Sequence, residues 1–257
     1  DINNSGWDHQ LLARTAQGQP PIRLVLRLIH GLSKMGADRL IAARRDGHFK
    51  SVSDLRRRAQ LDKGDMEALA AADAMHSVSG HRHQSQWQIM AIEPPRPLLH
   101  DESNAPAVAL NDAITPAPPS IAEEVFTDYQ STGLTLRAHP LALLRDQTPF
   151  NRCRRQNDLG AADNRRFVRI AGIVTCRQRP GTASGVVFLT LEDETGNHNV
   201  IVWPKIQELF RQALMTPQLL LVKGTLETRD GTMHVIASGL YDHSDALTTL
   251  RIKSRDF

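Results

Sequence analysis

One stretch governs what this chain can become. Seven of its fourteen prolines fall between residues 93 and 122, in "EPPRPLLHDESNAPAVALNDAITPAPPS", together with most of a local acidic excess. Proline fixes φ, lacks an amide proton and restricts the residue before it, so a stretch this dense propagates neither a helix nor a central strand. It reads as an extended acidic linker. The chain's 257 residues leave enough on either side for two modest domains, each burying its own core.

Upstream of the linker, residues 1–92 read as helical. "IRLVLRLIHGL" places apolar residues at 22, 24, 25, 26, 28, 29 and 32, a broad stripe at helical spacing. Gly31 interrupts it. "SKMGADRLIAARRDG" follows, with Ser33 as N-cap and Gly47 as a stop. "SVSDLRRRAQL" starts a third helix from Ser51 or Ser53, and "DKGDMEALAAADAM" a fourth from Asp62. Helix, short turn, helix thus occurs twice, at Gly31 and near Lys63–Gly64, which is the tandem helix-hairpin-helix pattern. A glycine turn lets backbone approach a phosphate, and the amides of the next helix then point at the anion. Lys34, Arg39, Lys50 and Lys63 add positive charge. Contacts of this kind hold a nucleic-acid backbone and carry no sequence information. The first hairpin has Ser33 where many have a second glycine, and the second has no glycine before its turn. Ordinary packing of paired helices stays open as the alternative.

Downstream, residues 123–164 read as a helical connector, with one helix over 123–131 and another after Pro140. Residues 165–243 change period. "RFVRIAGIVTCR" is a strand, "GVVFLTLEDETGNHNVIVW" a hairpin turning at Gly196, "PKIQELFRQAL" a helix and "QLLLVKGTLETRDGTMHVIASGL" a second hairpin around Asp230–Gly231. The order β-β-β-α-β-β is that of a five-stranded OB-fold barrel, which binds through its second and third strands and two loops. Those loops are "RQRPGTASG" and "RDG". The predicted fold is therefore multi-domain α plus β, with residues 244–257 as a tail.

Within the barrel, Val187, Leu189 and Leu191 share one face of a strand, so Phe188 points outward, where a base could stack on it. The next strand has two apolar sets, Val200/Val202 and Ile201/Trp203, which leaves Trp203 open between core and surface. Arg177 and Arg179 are candidates for phosphate from the first loop, and Arg229 from the second. "LEDETG" is acidic, but a hairpin turn exposed to water accounts for it.

Charge is unevenly spread although the net value is only +3. Residues 22–63 hold eleven Lys/Arg against four Asp, while residues 93–128 hold seven acids against one Arg. That distribution suits a polyanion contact confined to certain faces, or solvated helix surfaces. Cys153 and Cys176 form no CxxC, and the eleven histidines, His81 and His83 included, show no metal-ligand spacing, so no metal is expected in this chain. No apolar run reaches the roughly 18 residues of a membrane span. The N-terminus "DINNSGWDHQ" is polar and lacks an initiator Met, and we expect a piece of a longer protein.

"VRIAGIVTCRQRPGTASGVVFLTLEDETGNHNVIVWP", preceded by "STGLTLRAHPLALLR" and followed by a terminal "KSRDF", resembles the C-terminal region of error-prone bacterial C-family DNA polymerases. These are of the ImuC type and are related to the replicative polymerase III α subunit. "DINNSGWD" and "IRLVLRLIHGLSKMGADRLIAAR" fit the same family just after its fingers. The resemblance implies a damage-induced, translesion polymerase that uses deoxynucleoside triphosphates and Mg²⁺ on primer–template DNA in the cytoplasm. It implies ImuA- and ImuB-type accessory partners and a sliding clamp. The family's catalytic carboxylates lie in a palm upstream of this chain, so no catalytic residue and no cofactor is expected here. Two departures matter. Where replicative relatives carry a QxxLF clamp peptide, this chain reads "RHQSQWQIMAI", and "QELF" at 207–210 has the wrong spacing, so clamp contact would be indirect. The further domain by which replicative relatives dock to the clamp loader is not expected after the barrel.

Three other functions compete. A docking platform for the accessory proteins, with little DNA affinity, shares the family resemblance. A tRNA-binding synthetase module needs a synthetase catalytic motif, and a hairpin-containing glycosylase needs a catalytic Lys or Asp after its hairpin. Asp54 and Asp62 read instead as helix caps.

Overall fold

The computed structural model describes residues 1–13, 18–91, 115–181, 185–229 and 231–253. The chain forms two compact units, Asp1–Thr135 and Leu136–Phe257. Most of the linker read at 93–122 lies outside the described residues, as do Asp230 of the second hairpin turn, residues 182–184 of the first barrel loop and the last residues of the tail.

In the first unit a two-stranded ribbon, β1 (Gln10–Leu11) and β2 (Ile22–Arg23), precedes the helices. The helix expected over 22–32 does not form. Ile22 is tied to Leu11, Leu26 donates its amide to Gly6 oxygen, and only a single 3-10 turn, Leu26–Leu28, survives. Tertiary pairing overrides the helical spacing there, yet the stripe still does its packing job: Val25, Leu26, Ile29 and Leu32 are all buried.

The remaining helices start where the caps say. α1 (Lys34–Ala43) begins at Ser33, whose hydroxyl accepts from Gly36 N; α2 (Val52–Ala59) begins at Ser51 over Asp54 N; and α3 (Lys63–Ala71) begins at Asp62 over Asp65 N. α2 ends without glycine because Gln60 itself takes the left-handed conformation, φ 48° and ψ 45°. α4 (His76–Ser79) and α5 (Arg82–Ala91) complete the bundle. α6 (Ile121–Thr132), capped by Ser120, belongs to this unit too. Buried Arg82 on α5 donates to Glu124 and Asp128 of α6, each at 2.6 Å. Residues 123–164, read from sequence as one connector, are thus shared between the units: α6 packs with the helices and the rest with the barrel.

In the second unit β3 (Phe167–Gln178), β4 (Val187–Glu192), β5 (Asn197–Val202), β6 (Leu219–Arg229) and β7 (Thr232–Asp242) close in the order β3-β4-β5-β7-β6. Among these barrel strands β5 and β7 pair in parallel and the other neighbours antiparallel. Val187, Leu189, Leu191, Val200, Val202, Leu220, Val222 and Val235 fill the interior. Val200/Val202 is therefore the inward set, and Ile201 and Trp203 face out. The predicted helix after Pro204 is two, α8 (Pro204–Leu209) and α9 (Arg211–Met215), broken at Phe210, whose ring packs edge-on against Tyr241. α7 (Pro140–Leu144), capped by His139, packs Leu141 and Leu144 with Phe150 and Cys153 against Ala171, Leu219 and Leu221 on the barrel wall. α10 (Ser244–Lys253) follows β7, where the tail was expected.

Candidate nucleic-acid interface

The first hairpin turns at Gly31, whose φ of +85° is the left-handed conformation that glycine adopts freely. The amide expected to face a phosphate there is already taken. Ser33 N donates to Asp65 Oδ1 at 2.8 Å, and Ser33 Oγ donates to Oδ2 at 3.1 Å. Asp65 lies on α3, is 2% exposed, and draws Arg39 to 3.7 Å while Arg39 Nε donates to Ala59 oxygen. An internal carboxylate therefore fills the anion position, and Arg39 serves the fold. Gly36 owes its identity to the same group, because a Cβ there would stand 2.0 Å from Asp65 Oδ2.

The lysines of this unit stay outside. Lys34 and Lys63 occupy the first positions of α1 and α3, reaching only the surface partners Asp38 and Glu67 at 3.4 and 3.7 Å. Positive charge at a helix N-terminus opposes the macrodipole, so these placements cost stability unless an anion sits nearby. Lys50 is exposed just before α2, and among the described residues only its backbone amide is bonded, to Asp54.

On the barrel, a groove of about 600 Å³ lies between the end of β3, the start of β4 and the helices α8 and α9. Arg177, Arg179 and Arg211 line it, together with Pro204, Gln207, Met215 and one acid, Glu208. Arg179 and Arg211 make no hydrogen bond or ion pair among the described residues. Arg177 is different: its guanidinium donates to Met215 and Pro217 oxygens at 2.9 and 3.3 Å, which fixes the turn between α9 and β6. Phe188, 36% exposed, pairs with Gln178 at the groove edge, and Trp203, 51% exposed, immediately precedes Pro204. Arg229 is exposed at the end of β6, remote in sequence from the groove and beside the second turn. The structure thus brings Arg177 and Arg179 into one groove, while Phe188 and Trp203 are exposed next to its residues Gln178 in register and Pro204 in sequence.

"LEDETG" is not an exposed acidic turn. Asp193 is 3% exposed. Its Oδ1 accepts from the Thr195 amide and hydroxyl and from Gly196 N, and its Oδ2 from Gln156 N and His198 Nε2. Burial pushes this carboxyl upward, but the donors from His198, Thr195 and Gln156 outweigh it and hold it well below the usual carboxylate range. Next to it, Glu194 is gripped by Arg145 and Arg155. The acids pin segment 145–156 to the barrel. Among the described residues no group of three or more metal-ligating side chains lies together.

Comparisons with known proteins agree with this geometry. A helix-hairpin-helix motif model matches residues 1–85, and an OB-fold nucleic acid binding domain model matches residues 168–242. An error-prone DNA polymerase of Saccharophagus degradans is 50% identical over 260 aligned residues, covering 100% of this chain and 25% of that protein. Its counterpart in Teredinibacter turnerae is 44% identical over 266, with 100% and 25% coverage. Over its whole length this chain is a homologue of error-prone DNA polymerases. The homologue spans about a quarter of the length of these relatives. Among solved structures, asparaginyl-tRNA synthetase from Pyrococcus horikoshii superposes at a TM-score of only 0.30, with 22% identity over 34% of this chain and 21% of the synthetase, too loose a likeness to bear on function.

Sequence reasoning missed two residues that shape these candidate sites in the error-prone polymerase homologue. Arg211 sits in "LFRQAL", where only the break at Phe210 turns it toward the groove. Asp65 looked like one more polar residue of a helix, and the glycine four residues into "SKMGADR" was its one signal.

Proposed function

We propose that this chain is the nucleic-acid-holding region of an error-prone DNA polymerase, gripping backbone without sequence preference. The observation that carries the reading is the groove lined by Arg179 and Arg211, whose guanidiniums are uncommitted among the described residues. Phe188 and Trp203 are exposed rings one register or sequence step from its residues Gln178 and Pro204. Such a surface suits a single strand, because phosphates seek the charge and bases of any identity stack on rings. The barrel would guide the single-stranded template, and the helix-hairpin-helix unit would hold duplex through Lys34, Lys50 and Lys63. With Ser33 N occupied by Asp65, that second grip would rest on side-chain charge more than on the backbone cradle.

Polymerisation belongs to the whole protein in this reading. Mg²⁺ and the triphosphate would be bound by carboxylates in the missing palm, and the site would be cytoplasmic. No helix among the described residues is long and apolar enough to cross a membrane.

A second reading has its own observation. A groove of about 810 Å³ on the helical unit is lined by Met66, Ile89 and Met90, with Arg56 and Lys63 also on it, and Met90 is 80% exposed. Accessory proteins of the ImuA and ImuB type could dock there, with the sliding clamp reached through them.

Fluorescence anisotropy of single-stranded, duplex and primer–template DNA across a salt series separates the two. Steeply salt-dependent binding supports the grip. No binding at low salt would leave docking as the chain's role.

A further inference from the structure

A second opening lies at the barrel end where β5 and β7 begin side by side. It holds about 230 Å³, less than the roughly 300–1,000 Å³ of clefts that take drug-sized ligands. Its floor is apolar, from Leu159, Leu226, Met233 and Val235. Its rim carries the carboxamides of Gln156, Asn197 and Asn199. These three side chains make no hydrogen bond among the described residues. No Lys, Arg, Asp or Glu lines it. Beside Asn199, its β7 partner His234 buries Nδ1 with no hydrogen-bond partner among the described residues.

We infer that this mouth admits one nucleobase turned out of a bound single strand, with adenine preferred. The inference rests on the single-strand reading of the barrel. A lining with no Lys or Arg, whose imidazole His198 is already bonded to Asp193, offers little to a phosphate, while an apolar floor accepts the faces of one heterocycle. Each carboxamide presents a donor beside an acceptor, the pattern that matches an adenine edge. Turning a base out of a single strand costs least, since no pair is broken. The location fits: Val187 lines the arginine groove and Leu191 pairs with His198 at the mouth. Four steps along β4 separate them, about 13 Å at about 3.3 Å per residue. A strand of a few nucleotides covers that span, within the roughly 4–16 nucleotides an OB barrel holds.

The test is anisotropy of the full chain with oligo-dT, with oligo-dT carrying one internal adenine, and with an abasic residue in place of that adenine. The adenine strand should bind about tenfold more tightly than the other two, the size of one bidentate amide–base pair. N197A/N199A, checked for folding by circular dichroism, should erase that difference while still binding oligo-dT. R179A/R211A should weaken all three strands and keep the difference. Equal binding of the three strands by the parent chain overturns the base site and leaves the backbone grip standing, as does a preference that survives N197A/N199A. If no single strand binds at low salt, the grip itself falls and the base site with it.

Discussion

Arg145 holds Glu194 through two parallel hydrogen bonds, Nε to Oε1 at 2.7 Å and Nη2 to Oε2 at 2.9 Å. Both side chains are nearly buried, at 8% and 13% exposure. The same guanidinium donates to Phe150 and Cys153 oxygens, so one side chain ties the β4–β5 turn to the segment that covers the barrel wall. Removing Arg145 leaves Glu194 to Arg155 alone and strands the Phe150 and Cys153 oxygens, so R145A should cost the barrel about 1–3 kcal/mol. Urea unfolding followed by amide exchange in β4 and β5 measures this, and the helical unit should serve as an unaffected internal control.

Acid should act through Asp193 and Glu194. Both carboxyls stay charged in the fold below their ordinary range: burial works against each, but hydrogen bonds from His198, Thr195 and Gln156 to Asp193, and from Arg145 to Glu194, prevail. A depressed folded pKa gives stability that is fully present above the unfolded value of about 4 and is lost as pH falls below it. The urea midpoint of the barrel should therefore drop between about pH 4 and lower values, and D193N should start lower and show a flatter acid limb.

Gly36 and Asp65 should prove coupled. G36A drives a methyl into the carboxylate and should cost about 1–3 kcal/mol, the usual scale of overpacking. D65A strands Ser33's donors at a similar cost of about 1–3 kcal/mol. In G36A/D65A the clash is gone, so thermal unfolding should show the double variant well above the sum of the two losses.

Much of this was legible from residue chemistry. Caps at Ser33, Ser51 and Asp62 fixed three helix starts, because a short polar side chain satisfies otherwise orphaned amides. Alternation in "GVVFLTLEDETGNHNVIVW" fixed the barrel hairpin and put Phe188 outside. The failures have one cause, long-range partners. Residues 22–32 carry helical spacing, yet Leu11 and Gly6 claim their backbone. Asp193 reads as an exposed turn until Gln156 and His198 close over it. Arg177 and Arg39 read as free cations, but carbonyls distant in sequence use them.

The two thiols should differ sharply. Cys153 is buried against Phe150 and Leu144, and burial pushes its thiol up to about 11 despite the nearby Arg145 and Arg169. Cys176 lies half-buried on β3. At pH 8, iodoacetamide should label Cys176 first and reach Cys153 only on unfolding, as read by peptide mass spectrometry.

Trp203 should matter to DNA and little to the fold, since half of it is exposed. W203A should weaken single-strand binding by about 1–3 kcal/mol, the range for one base–aromatic stack, with an unchanged melting temperature.

The most direct test is the slope of log K against log salt for single-stranded DNA, measured on the parent chain, R179A/R211A and R177A. Each phosphate contact on a single strand contributes about 0.7 to that slope, so R179A/R211A should flatten it by about 1.4. R177A, whose guanidinium holds the α9–β6 turn, should lower stability more than it changes the slope. A parent chain that fails to bind at low salt, or a double variant with the parent's slope, would contradict the assignment of this groove to the DNA backbone.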